Sequence, residues 1–148
     1  MPTMAIMIGI QASGKSTFCK SYLDSYTRIN LDLLHTRNKE SIALVNAIFA
    51  NEDIVIDNTN IIVSDRAKYM VKAKAYGYKV IGYFMQSRLQ ECIKRNDNRH
   101  GKERIPVNAI AFTSNKLELP SYGEGFDELY FVSIVNDKYQ IEEWRTEE

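Results

Sequence analysis

The sequence carries no net charge: Lys and Arg number 19, and so do Asp and Glu. That balance excludes capture of nucleic acid or anionic membrane by a general positive field, so any such partner must be met by a local groove. Cysteine is scarce. Cys19 and Cys92 are far apart, lack metal-ligand spacing and fall in helical stretches, which reads as reduced thiols filling core space. No apolar run is long enough to span a bilayer, and no charged segment precedes the first one. The expectation is a cytoplasmic protein with no membrane partner. Linkers, repeats and low-complexity segments are also missing, so residues 1–148 read as a single domain. Apolar residues at 45% and charged residues at 26% are those of an ordinary globular chain.

What is present is alternation. Apolar runs suited to buried strands fall at Ala5–Ile10, Tyr26–Ile29, Ile54–Ile56, Lys79–Phe84 and Leu129–Val135. Helical patterns lie between them, at Lys15–Ser25, Ser41–Ala50, Asp65–Tyr76, Leu89–Arg99 and Pro106–Leu117. Ser64 is the expected N-cap of the third helix and Gly77 its stop, while Pro106 suits a helix start. Strands alternating with helices imply an α/β fold, a three-layer sandwich whose mostly parallel sheet has about five strands. Tyr139–Glu143, after the turn "NDK", adds a short antiparallel edge strand. Ligands of such sheets sit beyond the carboxyl ends of the strands. "GIQASGKS", "NLD" and "DNTN" each follow a strand, which predicts one shared site.

Gly9, Gly14, Lys15 and Ser16 satisfy G-x-x-x-x-G-K-[ST] between a strand and a helix. Glycines let the backbone curl so that successive N–H groups converge on anionic oxygens, and the helix start adds its positive end. The loop residues Gln11, Ala12 and Ser13 and the following Thr17 complete the expected nucleotide contacts. Lys15 can reach the β- and γ-phosphates of ATP, and the Ser16 hydroxyl can ligate Mg²⁺. The same cradle serves every ATPase and small kinase of this kind, so it leaves the acceptor open.

On the acceptor side, Asp32 follows the strand "TRIN". A carboxylate there can orient an attacking hydroxyl and take its proton late, or it can cap the next helix. In "IVIDNTN", a β-branched run delivers Asp57, placed to hold Mg²⁺ through water. Asn58, Thr59 and Asn60 suit sugar hydroxyls or a phosphate, although D-N-T-N is also good turn chemistry. Residues 88–104 contain six basic against three acidic residues in a chain whose total is zero. Arg95 and Arg99 are four apart, on one face of a helix if it persists. They can close over a triphosphate, or they can belong to a solvated helix face.

These stretches resemble the kinase domain of the polynucleotide 5′-hydroxyl kinases, of the phage type and the animal DNA-repair type alike. "GIQASGKSTF", "INLD", "VIDNTNIIVSDRAKYMVKAKAYG", "CIKRNDNRHGKERIP" and "LELPSYGEGFDELYFV" follow in family order over nearly the whole chain. The resemblance implies a P-loop kinase fold and transfer of ATP's γ-phosphate to the 5′-hydroxyl of a DNA or RNA end. It makes Asp32 the general base and places Lys15 and Ser16 on ATP·Mg²⁺. Asp57 falls in the acceptor and metal network, Arg95 and Arg99 become lid arginines, and Arg66 is partly structural. One departure stands out. Where the phage-type pattern has a phosphate-gripping arginine three positions after the base, this chain has His35, with Arg37 two residues on. A neutral imidazole grips a phosphate more weakly than a guanidinium.

No segment is left for a phosphatase or ligase, and whether a separately encoded one works alongside stays open. Two other readings remain open: a kinase with a small acceptor such as a nucleoside, sugar or antibiotic, and a slow ATPase switch. In the tail, Tyr122, Phe126 and Tyr130 read as core rather than base-stacking residues, with Pro120 or Tyr122 as candidate flanks for adenine.

Overall fold

A computed structural model describes residues 1–145. Its strands are β1 (Thr3–Ile8), β2 (Thr27–Ile29), β3 (Ile54–Ile56), β4 (Lys79–Met85), β5 (Glu128–Val135) and β6 (Lys138–Glu143). They form one sheet in the order β2-β3-β1-β4-β5-β6, parallel throughout except for the final antiparallel pair. The hairpin turn places Asn136 and Asp137 both at positive φ, at 52° and 62°, as a tight two-residue connection requires.

Strand alternation divides the core. In β1, Met4, Ile6 and Ile8 face one side, against Leu44, Ala47 and Ile48 of α3 (Arg37–Phe49) and Tyr69, Met70 and Ala73 of α4 (Val63–Ala75). Ala5 and Met7 face the other, against Phe18 and Cys19 of α1 (Lys15–Tyr22). A third cluster joins Ile10 and Ala12 to Cys92 of α5 (Leu89–Asp97) and Ile110 of α6 (Val107–Lys116). Both cysteines are free and buried, filling core space. The short α2 (Leu31–Leu34) has no periodic pattern and lies outside the expected helices.

Several boundaries differ for tertiary reasons. β1 stops at Ile8 because Gly9 N–H donates to Thr59 O (3.0 Å) and Ile10 N–H to Ser87 Oγ (3.1 Å). The third expected helix starts two residues early, at Val63, and Ser64 lies inside it rather than capping it. Val63 N–H is satisfied instead by Glu118 Oε1 at 3.0 Å, a partner 55 residues away. Thr36 accepts from Lys39 N–H and so starts α3 four residues before the apolar pattern begins. α5 ends at Asp97, since buried Asn96 bonds both backbone groups of Ile105 and turns the chain back. Among the described residues no helix is long and apolar enough to cross a membrane.

Candidate active site

The glycine loop leaves β1 and enters α1 in a strained path. Ala12 and Gly14 both take positive φ, at 64° and 99°. A Cβ on Gly9 would meet Ser13 Oγ at 2.6 Å and Met85 Cβ at 3.1 Å, so a side chain here would force its neighbours to shift. Lys15 Nζ donates to Gly9 O (2.9 Å) and Ile10 O (2.8 Å), curling over the loop from inside. Burial pulls the Lys15 ammonium down to about 8, although Asp57 opposes the shift. Ser13 Oγ and Gln11 Oε1 are buried without partners, while Gln11 Nε2 ties the loop to Thr113 Oγ1 of α6.

Behind the loop, Tyr139 Oη donates to Gly14 O at 2.9 Å and stacks edge-on with Phe18. The C-terminal hairpin thus braces the cradle from 125 residues away, a role that reading the segment as an edge strand did not suggest.

The structure brings Ser16 and Asp57 together, Ser16 Oγ donating to Asp57 Oδ2 at 3.1 Å. A third residue joins them that the sequence did not single out. Arg28, from β2, donates from Nε to Asp57 Oδ2 (2.7 Å) and from Nη2 to Ser16 Oγ (3.0 Å). The only sequence signal is a charged residue inside a three-residue strand, next to the buried Ile29. Asp57 Oδ1 is buried and has no partner among the described residues. A carboxylate oxygen left open beside a serine hydroxyl is the hard-oxygen donor set that a Mg²⁺ ion takes, so these two residues fit that metal.

Asp32 is exposed in the first turn of α2. It caps nothing, because Asn30 is the N-cap and accepts from Leu33 N–H. The turn is stitched to the neighbouring strand end: Leu31 N–H donates to Asn58 Oδ1 (2.9 Å) and Asn30 Nδ2 to Asp57 O (2.6 Å). His35 closes α2 at φ 70° and is exposed.

The D-N-T-N side chains divide their work differently from the expectation. Asn58 spends its amide on Leu31, Glu40 Oε2 (2.8 Å) and Tyr69 Oη (3.3 Å). Asn60 is buried and donates to Met7 O at 2.7 Å. Asn58 has both amide atoms committed inside the protein and Asn60 its Nδ2, so both hold strand ends together. Thr59 contributes its carbonyl to Gly9 N–H. Arg66 is wholly structural: fully buried, it grips Glu124 with two nitrogens and Asn60 O with the third.

Glu40 is the second residue missed in the sequence. Only 4% exposed, it accepts from Tyr69 Oη (2.8 Å), Asn58 Nδ2 and Arg37 Nη1 (3.2 Å). Burial pushes its carboxyl up, but the hydrogen bonds of Tyr69 and Asn58 and the Arg37 charge outweigh it and hold it low. Burial and the bond to Glu40 raise the Tyr69 phenol. Beside this cluster, Arg37, Lys68 and Lys72 line a groove of about 310 Å³ between α3 and α4.

In the basic run, Arg88 and Arg104 pair with Glu91 and Asp97. Arg95 and Arg99 have no carboxylate partner among the described residues: they donate to Ala12 O (3.1 Å) and Glu103 O (3.3 Å). Arg99 lies beyond the end of α5, so it does not share a helical face with Arg95. Its charge nevertheless reaches Lys15 and helps to lower it. Tyr122 donates to Trp144 O, near the amino-terminal end of β5, and Phe126 is buried in the core. That is the end of the sheet opposite the glycine loop, which removes Tyr122 as a flank for adenine. Tyr130 stacks on Tyr83.

Five parallel strands in the order 2-3-1-4-5, with a lysine-closed glycine loop after the first, define the P-loop kinase fold. No model of a known protein family matches the chain. A protein of Acanthamoeba polyphaga mimivirus described as a bifunctional polynucleotide phosphatase/kinase is 33% identical, over 95% of this chain and 35% of its own. The bifunctional polynucleotide phosphatase/kinase of Schizosaccharomyces pombe is 28% identical, over 83% of this chain and 31% of its own. The chain therefore spans about a third of the length of the curated relatives it matches. Among solved structures, a gluconokinase from Sinorhizobium meliloti 1021 superposes with a TM-score of 0.63 at 19% identity, covering 91% of this chain and 84% of that one. At that identity the likeness speaks for the fold alone. The chain is a polynucleotide kinase-like P-loop domain.

Proposed function

We propose that this domain transfers the γ-phosphate of ATP to the 5′-hydroxyl of a DNA or RNA end. The observation that carries the reading is the seam between β2 and β3. Leu31–Asn58 and Asn30–Asp57 bonds tie the Asp32 turn to the strand end that meets Ser16, and the basic groove of Arg37, Lys68 and Lys72 opens beside the same Asn58. An acceptor hydroxyl at Asp32 would then have the phosphates of its own strand running toward Lys68, Lys72 and the Arg37 that is paired with Glu40. Such contacts to phosphate position a nucleic acid without reading its sequence.

Lys15 and the loop N–H groups hold the β- and γ-phosphates. Asp32 orients the acceptor hydroxyl and takes its proton as the new P–O bond forms and the bond to the β,γ-bridging oxygen breaks, releasing ADP. Arg95 and Arg99, without carboxylate partners among the described residues, offset the charge that gathers on that leaving oxygen. Ser16 and Asp57 would hold Mg²⁺, whose charge neutralises the phosphate oxygens when bound.

A small-acceptor kinase is the second reading, favoured by His35 at the position after the Asp32 turn and by the zero net charge. Labelled ATP offered with 5′-hydroxyl oligonucleotides of DNA and RNA, mononucleotides and free sugars decides between them. Label in the oligonucleotides, rising with length over the first few nucleotides, is the expected result. Label confined to a mononucleotide or sugar overturns the polynucleotide acceptor, and label in nothing overturns the kinase.

A further inference from the structure

Arg28 stands on the two oxygens that a metal ion would need. Asp57 Oδ2 accepts from both Arg28 Nε and the Ser16 hydroxyl, and Ser16 Oγ accepts from Arg28 Nη2. Of the three oxygens in this corner, only Asp57 Oδ1 is left without a partner. The carboxylate side chain is 1% exposed and the arginine side chain 26%, so the pair is shielded on the acid's side and open on the cation's. A guanidinium in such a position does two things at once. It neutralises Asp57, which would otherwise repel a tetra-anionic triphosphate arriving without metal. It also competes with a divalent cation for Ser16 Oγ and Asp57 Oδ2.

We propose that Arg28 sets the metal requirement of this site: its guanidinium substitutes for a divalent cation on Ser16 Oγ and Asp57 Oδ2 and must release both oxygens for that cation to bind. This rests on the reading that Ser16 and Asp57 hold Mg²⁺. The consequence is a pair of opposite effects from one substitution. Without the guanidinium, metal binds more tightly, because Asp57 is bare and two oxygens are open. Metal-free nucleotide binds more weakly, because the same bare carboxylate faces its phosphates. Charge-assisted bonds of this kind make each effect about tenfold.

The test titrates Mn²⁺ into the protein saturated with a non-hydrolysable ATP analogue, reading free Mn²⁺ by electron paramagnetic resonance. Metal-free binding of the same analogue is measured by calorimetry in chelator. Arg28→Gln is expected to tighten Mn²⁺ about tenfold and to weaken the metal-free analogue by a similar factor. Arg28→Lys, which keeps the charge but loses the fork, falls between. A merely structural role for Arg28 would weaken both ligands, and that result overturns the proposal, as does Mn²⁺ affinity equal to the wild type. If Arg28→Gln does not fold, Arg28→Lys decides alone, tighter Mn²⁺ supporting the proposal and unchanged Mn²⁺ overturning it. Asp57→Asn separates the two layers: Mn²⁺ affinity unaffected by that change overturns the metal assignment itself.

Discussion

Lys15 couples nucleotide binding to proton uptake, and the geometry gives the size of the effect. Its ammonium is held by the Gly9 and Ile10 carbonyls in a partly buried position, which brings it from 10.5 to about 8. Bound phosphates favour the charged form, so affinity follows the charged fraction of the free protein. That fraction falls from about 0.9 at pH 7 to about 0.1 at pH 9, so the dissociation constant should rise nearly tenfold over this interval. A terminal phosphate has its last pKa near about 6 and is already ionised throughout, so the nucleotide itself adds little. Calorimetry of ATP binding at pH 8, in two buffers of different ionisation enthalpy, should show uptake of about half a proton per nucleotide. Lys15→Arg, whose charge does not titrate, should flatten the profile. Equal affinity at pH 7 and pH 9 with no proton uptake would refute the reasoning. The sign for stability follows from the same shift. Between pH 8 and 10.5 the unfolded chain holds the extra proton, so the ligand-free protein gains stability as pH rises there. Below pH 8 both states are charged, and the folded state carries the whole cost of about 3 kcal/mol.

The other expectations concern single residues. Asp32→Ala should lower kcat by about a hundredfold or more while leaving ATP affinity within twofold, because the residue serves the acceptor hydroxyl; near-normal turnover in a phosphoryl-transfer assay would remove it from that role. Arg99→Ala should cut kcat about a hundredfold with little change in ATP binding, and an unchanged rate would return the residue to the solvated surface. Arg66→Met leaves Glu124 without its bidentate partner and should cost about 3 kcal/mol of stability in urea unfolding, whereas a loss below about 1 kcal/mol would contradict its structural assignment.

Much of this domain is legible along the chain because the relevant forces act locally. Alternation in β1 specifies which residues face α1 and which face α3 and α4. The glycine loop is defined by backbone conformation, so its residue pattern is nearly the site itself. Helix edges were less legible where a distant group did the capping. Ser64 has the chemistry of an N-cap, yet Glu118 satisfies Val63 N–H and the helix starts two residues before the expected Asp65. The asparagines of D-N-T-N show the same limit. Their amides suit a substrate equally well, but the fold commits them to Leu31, Glu40, Tyr69 and Met7.

The sequence by itself determined the parallel sheet, the phosphate cradle and the three strand ends at which polar residues gather, since periodicity and loop chemistry are properties of neighbours in the chain. Tertiary structure alone decided that Arg28 sits on Asp57 and Ser16, that buried Glu40 anchors Asn58 and Tyr69, and that Tyr139 braces Gly14. Each of those contacts joins residues between 12 and 125 positions apart. A side chain's partner across such a separation depends on which strands lie side by side and on the space left between helices, and neither is written into any local stretch of residues.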